Sequence, residues 1–216
     1  MFLKTSILDF KSKFFSTLIA LFPLSFIAGN LVINLNIAIL IVSAFMFFGK
    51  EIFRIKFNII DKLITLIFIY ILFVGTFNTV ENFYFIEKKI TDTVILKKTI
   101  LFFRYFFVYF ILRFLIEKKI LNIKFLFLFS VLGSLFVSFD LIYQFIFNYD
   151  IFGYEIIGRK YPGPFGDEAI AGGYLQRFSL IGIFYVILFS NQKDKKYLIL
   201  FVSFLIFLFF VSIGIS

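Results

Sequence analysis

The residues best suited to chemistry lie in and just after one polar segment, residues 148–173, which reads NYDIFGYEIIGRKYPGPFGDEAIAGG. This segment contains six of the 12 glycines and two of the three prolines, a density that predicts a shaped, turn-rich backbone. Arg159 and Lys160 lie within it, and Arg177 follows it. Guanidinium groups bind phosphate oxygens through paired hydrogen bonds, and the N–H groups at the start of a helix attract anions. The pattern predicts an anion site that uses Arg159, Lys160 and Arg177.

Each of these residues also has a simpler interpretation. Glycine and proline end helices, so the segment is alternatively a plain connection. Arg177, near the start of an apolar run, is alternatively an interfacial residue whose side chain extends to water. Arg159 and Lys160 alternatively belong to a solvated surface.

Three polar residues stand inside apolar runs. At a rise of ~1.5 Å per residue, Arg104 lies roughly 8 Å from the start of the predicted helix 99–116, and Asp140 lies roughly 11 Å from the end of the predicted helix 125–147. Both are measured from the same side of the membrane. Gln144 follows Asp140 at a spacing of i+4, on the same face. Ionisable residues within a membrane are costly and often functional. Arg104 and Asp140 are therefore candidates for an intramembrane ion pair, which is either a structural bridge or part of a polar path.

The sequence excludes several kinds of site. It has no Cys and no His, so disulfides, Cys/His zinc sites and His-based triads are impossible. Asp167 and Glu168 are adjacent and form no obvious acid–base pair across a substrate. Nothing resembles a nucleotide-binding fingerprint. We expect no metal and no cofactor, and the sequence assigns no catalytic residue.

The elements that must position these residues are apolar helices. The chain is 62% hydrophobic and only 16% charged, whereas a soluble domain is about half apolar and about a quarter charged. A membrane-spanning helix needs roughly 20 apolar residues, and such runs recur along the whole chain. They predict an all-α, polytopic transmembrane bundle that forms one domain over residues 1–216, with 78–98 and 148–173 as the two longest loops. The predicted helices are 14–28, 31–48, 63–77, 99–116, 125–147, 174–189 and 197–216.

The distribution of basic residues predicts an orientation. Thirteen Lys and Arg residues lie in loops on the side of the N-terminus, and six lie in loops on the other side. Because Lys and Arg accumulate in cytoplasmic loops, we expect a cytoplasmic N-terminus, with segment 148–173 and the C-terminus outside. The same rule accounts for the net charge of +9, and we expect no nucleic-acid partner.

Three segments together resemble the O-antigen ligase and O-antigen polymerase-like family of bacterial inner-membrane glycosyltransferases. They are FPLSFIAGNLVINLNIAIL, SFDLIYQFIFNYDIFGYE and RKYPGPFGDEAIAGGYLQR. The resemblance implies an undecaprenyl-diphosphate-linked glycan as donor, and a sugar hydroxyl of lipid A-core or of another repeat unit as acceptor. The outer segment then faces the periplasm. Arg159 matches the family's Arg before the glycine turn and Arg177 a basic position after it, and either serves the diphosphate.

The chain departs from the family in length. Family members continue after such a seventh helix into a further Arg segment and a large periplasmic loop, so we expect this chain to be the N-terminal part of a larger bundle. A transporter or lipid flippase subunit with an Arg104/Asp140 polar path is the alternative function.

Overall fold

The computed structural model of the chain describes residues 2–85, 92–156, 158, 160–166, 168–189 and 195–216. It is 83% helix, and the described residues form no β-strand. Seven helical stretches are long and apolar enough to cross a membrane, so the predicted all-α bundle with about seven spans is confirmed. Within the described ranges the α-helices are α1 (Phe2–Ala20), α2 (Phe22–Ile27), α3 (Asn30–Phe48), α4 (Ile59–Phe85), α5 (Asp92–Phe102), α6 (Arg104–Glu117), α7 (Ile123–Phe147), α8 (Ala171–Phe189) and α9 (Lys195–Ile215).

The predicted first helix, 14–28, is wrong in its continuity, whereas the predictions for α3, α7, α8 and α9 are correct to within a few residues. The structure interrupts the first span at Leu21, between α1 and α2. Pro23 lies in the first turn of α2. A backbone N–H at this position has no hydrogen-bond partner within the helix, so proline, which lacks this N–H, is tolerated there. Asn36 of α3 donates from Nδ2 to the carbonyl of Leu18 at 3.2 Å, which satisfies a backbone group beside the break.

The predicted loop 78–98 is wrong at both of its ends, because α4 continues to Phe85 and α5 begins at Asp92. Residues 86–91, in its middle, lie outside the described residues. The predicted helix 99–116 is correct in place but is interrupted at Phe103, which separates α5 from α6. No proline or glycine marks this break. The break instead accompanies aromatic packing, since the Phe68 ring has three partners around it. Its centroid lies 5.6 Å from that of Phe102, 5.8 Å from that of Phe103 and 5.3 Å from that of Phe106.

The chain divides into two compact units, Met1–Asn36 with Ile120–Ser216 and Ile37–Lys119. In the first unit, α7 packs against α1, α2, α8 and α9. Glycines allow α7 and α8 to approach closely: a Cβ on Gly182 would lie 2.7 Å from Cα of Val131. Small residues play this part in membranes because dispersion contacts, rather than water exclusion, hold the helices together. The buried apolar core of this unit includes Val131, Val137, Leu141, Leu175, Phe178, Leu205 and Phe209.

The second unit is organised around the fully buried carboxylate of Asp61. Its two oxygens accept from the Tyr109 hydroxyl at 2.6 Å and from the Asn58 N–H at 2.7 Å, and it forms an ion pair with Arg113. Asn58 Oδ1 in turn accepts from the Asp61 N–H at 2.9 Å, a reciprocal cap at the start of α4. Arg113 also donates to the carbonyl of Lys56 at 2.9 Å. The cluster therefore ties the start of α4 to α6.

We predict that Asp61 and Arg113 are energetically coupled. Asp61→Asn and Arg113→Leu should each lower the free energy of unfolding in detergent, because removing one partner leaves the other charge unpaired. The double variant should be less destabilised than the sum of the singles, by about 1–3 kcal/mol. Denaturant titrations of the four proteins measure this coupling. The control pairs Asp61→Asn with Arg54→Leu, an exposed arginine of the same unit, for which additivity is expected. Additivity at Arg113 as well would contradict the prediction.

Candidate functional site

The polar loop that follows α7 turns back along that helix. Asn148 ends α7 in the left-handed conformation, with φ of 67°, and its N–H donates to the carbonyl of Gln144 at 2.8 Å. The next residues form a short hairpin, residues 149–155, closed by an antiparallel bridge between Tyr149 and Glu155. Inside the hairpin, the N–H of Asp150 donates to the carbonyl of Tyr154 at 3.0 Å.

Two contacts show how far the hairpin returns along α7. The N–H of Ile151 donates to Oδ1 of Asp140 at 2.9 Å, and Asp140 is seven residues before the end of α7, about 10 Å along its axis. The ring of Phe152 lies 6.3 Å from that of Phe136, which is about 16 Å from the same end. The hairpin therefore lies beside the last turns of α7 and does not extend away from them.

Gln144 connects the hairpin to the Pro162–Gly166 turn of the same loop. Its side chain is completely buried. Its Nε2 donates to the carbonyl of Tyr154 at 3.1 Å, and its Oε1 accepts from the N–H of Gly163 at 2.9 Å. Gly163 has a φ of +59°, and a Cβ there would lie 3.2 Å from Leu141 of α7. Glycine is required at this position for both its conformation and its close approach to the helix.

Asp140 and Gln144 thus act on the loop backbone, a role that the sequence did not reveal. Arg104 lies at the start of α6, in the second unit, and donates to the Tyr105 hydroxyl at 3.1 Å. Because Asp140 belongs to the first unit, the ion pair between Arg104 and Asp140 stays a prediction. Oδ2 of Asp140 is buried and has no hydrogen-bond partner among the described residues.

A cavity of about 460 Å³ lies in the first unit, between the loop and the ends of three helices. The 28–30 turn and α3 contribute Gly29, Asn30 and Ile33, and the loop and α8 form the remaining walls. Most of the lining is apolar or aromatic, which is typical of ligand sites with a few orienting polar groups. The residues lining the walls formed by α2, the loop and α8 include Phe26, Ile27, Tyr154, Pro164, Phe165, Gly166, Glu168, Ile170, Tyr174, Arg177 and Phe178.

Arg177 and Glu168 bring opposite charges to this one cavity. Arg177 is exposed, and within the described part of the chain it has no ion pair or side-chain hydrogen bond. Glu168 is held in place by Asn30, whose Nδ2 donates to Oε1 at 3.2 Å. Within this one cavity, the Arg177 guanidinium can bind an anionic group, and the Glu168 carboxylate can accept a proton.

The other predicted anion-binding residues contribute less to this arrangement. Lys160 is exposed and is not among the residues that line the cavity. Arg159 and Asp167 lie outside the described residues. Among the residues that are described, no group of three Asp or Glu side chains could hold a metal ion. The structure thus supports Arg177 as a cavity residue and gives Lys160 no contact with it.

Sequence reasoning missed Glu168 as a site residue and did not consider Asn30. Glu168 has an acidic neighbour in sequence, Asp167, and no local pattern distinguishes Asn30. Glu168 and Asn30 lie 138 residues apart, so no local pattern joins them.

No protein family, curated protein or solved structure matches this chain. The fold and the cavity define its class, a multi-pass membrane protein with a mostly apolar cavity that also contains Arg177 and Glu168.

We predict that Gln144→Leu releases the loop from α7. The variant leaves the N–H of Gly163 and the carbonyl of Tyr154 without their buried partner, which costs about 1–3 kcal/mol. Hydrogen exchange at the Gly163 amide should accelerate, and the free energy of unfolding in detergent should fall. Gln176→Leu is the matched control, since Gln176 is exposed on α8 and should show neither effect. Unchanged exchange at Gly163 in Gln144→Leu would show that Gln144 does not hold the loop.

Proposed function

We propose that this protein is a membrane glycosyltransferase of the O-antigen ligase or polymerase kind. In this proposal it transfers a glycan from an undecaprenyl-diphosphate carrier to a sugar hydroxyl, on lipid A-core or on another repeat unit. The observation that carries the proposal is the cavity in which Arg177 and Glu168 lie together among apolar and aromatic residues. Such a combination suits a donor with a charged diphosphate and an apolar chain.

Arg177 is the proposed diphosphate ligand. Its guanidinium matches phosphate oxygens in geometry, and its lack of a partner among the described residues leaves it available for an incoming anion. The cavity also includes Glu168 and Ile170, which immediately precede α8. The partial positive charge at the start of a 19-residue helix favours an anion there. The same groups would stabilise the negative charge that develops on the departing diphosphate.

Glu168 is the proposed proton acceptor. The acceptor hydroxyl oxygen bonds to the anomeric carbon while the bond from that carbon to the diphosphate oxygen breaks. The bonding electron pair leaves with the lipid diphosphate, next to Arg177, and the hydroxyl proton passes to the Glu168 carboxylate. Asn30 positions that carboxylate through its hydrogen bond to Oε1. The diphosphate already activates the sugar, so the proposal requires neither metal nor nucleotide.

The proposed location is the bacterial inner membrane. The positive-inside rule supports a cytoplasmic N-terminus, and with seven spans this orientation directs the loop after α7 to the periplasm. Glycan transfer onto lipid A-core or a growing polysaccharide takes place on that side in the family that the sequence resembles. The cavity at the loop would then meet its donor within the periplasmic leaflet.

We predict that Arg177→Ala abolishes glycan attachment or chain extension. The variant gene, placed on the chromosome of the native host, should produce a protein that still inserts in the membrane, while surface-glycan gels lose the transferred product. Arg177→Lys should restore activity only in part, because lysine retains the charge but lacks the planar fork. Gln176→Ala, at the adjacent exposed position, is the control and should give the native glycan profile. A native profile from Arg177→Ala would remove Arg177 from the site.

A second prediction tests whether Glu168 accepts the proton or instead binds the lipid-linked glycan donor. In reconstituted vesicles with the lipid-linked donor, Glu168→Gln should bind the donor as the native protein does but turn over about 100-fold or more slowly. Glu155→Gln, an exposed glutamate outside the cavity, should keep the native rate. A native rate in Glu168→Gln would exclude Glu168 as the base, and loss of donor binding would assign it a binding role instead.

A further inference from the structure

The hairpin of residues 149–155 carries a surface that the proposed catalytic cavity does not use. Its tip residues, Ile151 and Phe152, are 55% and 61% exposed, although loop tips in water are usually polar. We infer that this hairpin is a re-entrant element, and that its apolar tip contacts the acyl chains of membrane lipids.

The first argument is depth. α7 has 25 residues, about 37 Å at the helical rise, and so exceeds a hydrocarbon core of about 30 Å by only a few ångströms at each end. The N–H of Ile151 bonds to Asp140 at 2.9 Å, about 10 Å back from the end of α7. Phe152 meets Phe136, still further back. Both tip residues therefore lie at the level of the acyl chains.

The second argument is that buried side chains and turn hydrogen bonds provide partners for part of the hairpin backbone, as non-helical backbone at membrane depth requires. The N–H of Tyr154 donates to Oδ1 of Asp150 at 2.6 Å, and the N–H of Gly153 donates to the carbonyl of Asp150 at 3.1 Å. The carbonyl of Tyr154 accepts from both Asp150 and Gln144. Asp150 itself is 1% exposed.

The third argument is continuity with a lipid-facing surface. Phe139 of α7 is 58% exposed, and the Phe152 ring packs onto Phe136 of the same helix, so the apolar tip extends the apolar surface of a membrane-spanning helix. The tip carries no charged side chain, and the carboxylate of Asp150 is turned inward. Acyl chains, rather than charged headgroups, are therefore the partner that fits this surface.

The experiment uses a property of the sequence, which contains no Trp. Phe152→Trp in the whole chain, reconstituted in vesicles with bromine atoms along the lipid acyl chains, places one fluorophore at the hairpin tip. We expect blue-shifted emission and a loss of fluorescence as large as that of Phe139→Trp, the lipid-facing control on α7. Lys196→Trp, an exposed position at the start of α9, is the aqueous control and should instead be quenched by acrylamide.

Ile151→Trp repeats the emission and quenching measurements at the adjacent residue. It tests whether the result at position 152 reflects the position of the hairpin tip and not a disturbance caused by that one substitution. If both hairpin variants emit and quench like Lys196→Trp, the tip lies in water and the inference is overturned. Lipid quenching in both, equal to that of Phe139→Trp, supports it. No substrate is present in these measurements, so their outcome is independent of whether the protein transfers a glycan.

Discussion

Hydrogen bonds from two buried side chains of α7 to the backbone of the following loop support the whole site. Asp140 accepts from Ile151, and Gln144 bonds to both Gly163 and Tyr154. In a medium without water, an unpaired N–H or carbonyl costs several kcal/mol, so a loop can return along a helix only where side chains replace water. Asp140 and Gln144 meet this requirement. Their positions within an apolar helix, which left open a structural ion pair or a polar path, are explained by these hydrogen bonds to the loop.

The cavity follows from that arrangement. Because Gln144 holds the hairpin and the Pro162–Gly166 turn together, Tyr154 and Phe165 become walls opposite α2 and α8. Close packing of α7 and α8 at Gly182 places Tyr174 and its neighbours along the same cavity. The rigid helices thus position a site whose residues lie partly on a loop, which is a common arrangement in proteins.

Charged side chains have different uses in the two units. In the second unit, Asp61 is satisfied by Tyr109, Asn58 and Arg113, and this closed network has no acceptor left over. In the first unit, Arg177 has no such partner among the described residues. A cation without a partner among the described residues, in a cavity that also contains a positioned carboxylate, distinguishes this cavity from a structural ion pair.

The sequence by itself determined the all-helical class, the seven spans and the turn-rich segment after α7. These properties are local, since hydropathy over about 20 residues and the placement of glycine and proline decide them. It also indicated Arg177. Only the tertiary structure decided the break at Phe103, the pairing of Asp61 with Arg113, and the contact between Asn30 and Glu168. Each depends on residues from different helices or distant segments meeting in space, and neither periodicity nor composition encodes which side chain another will face.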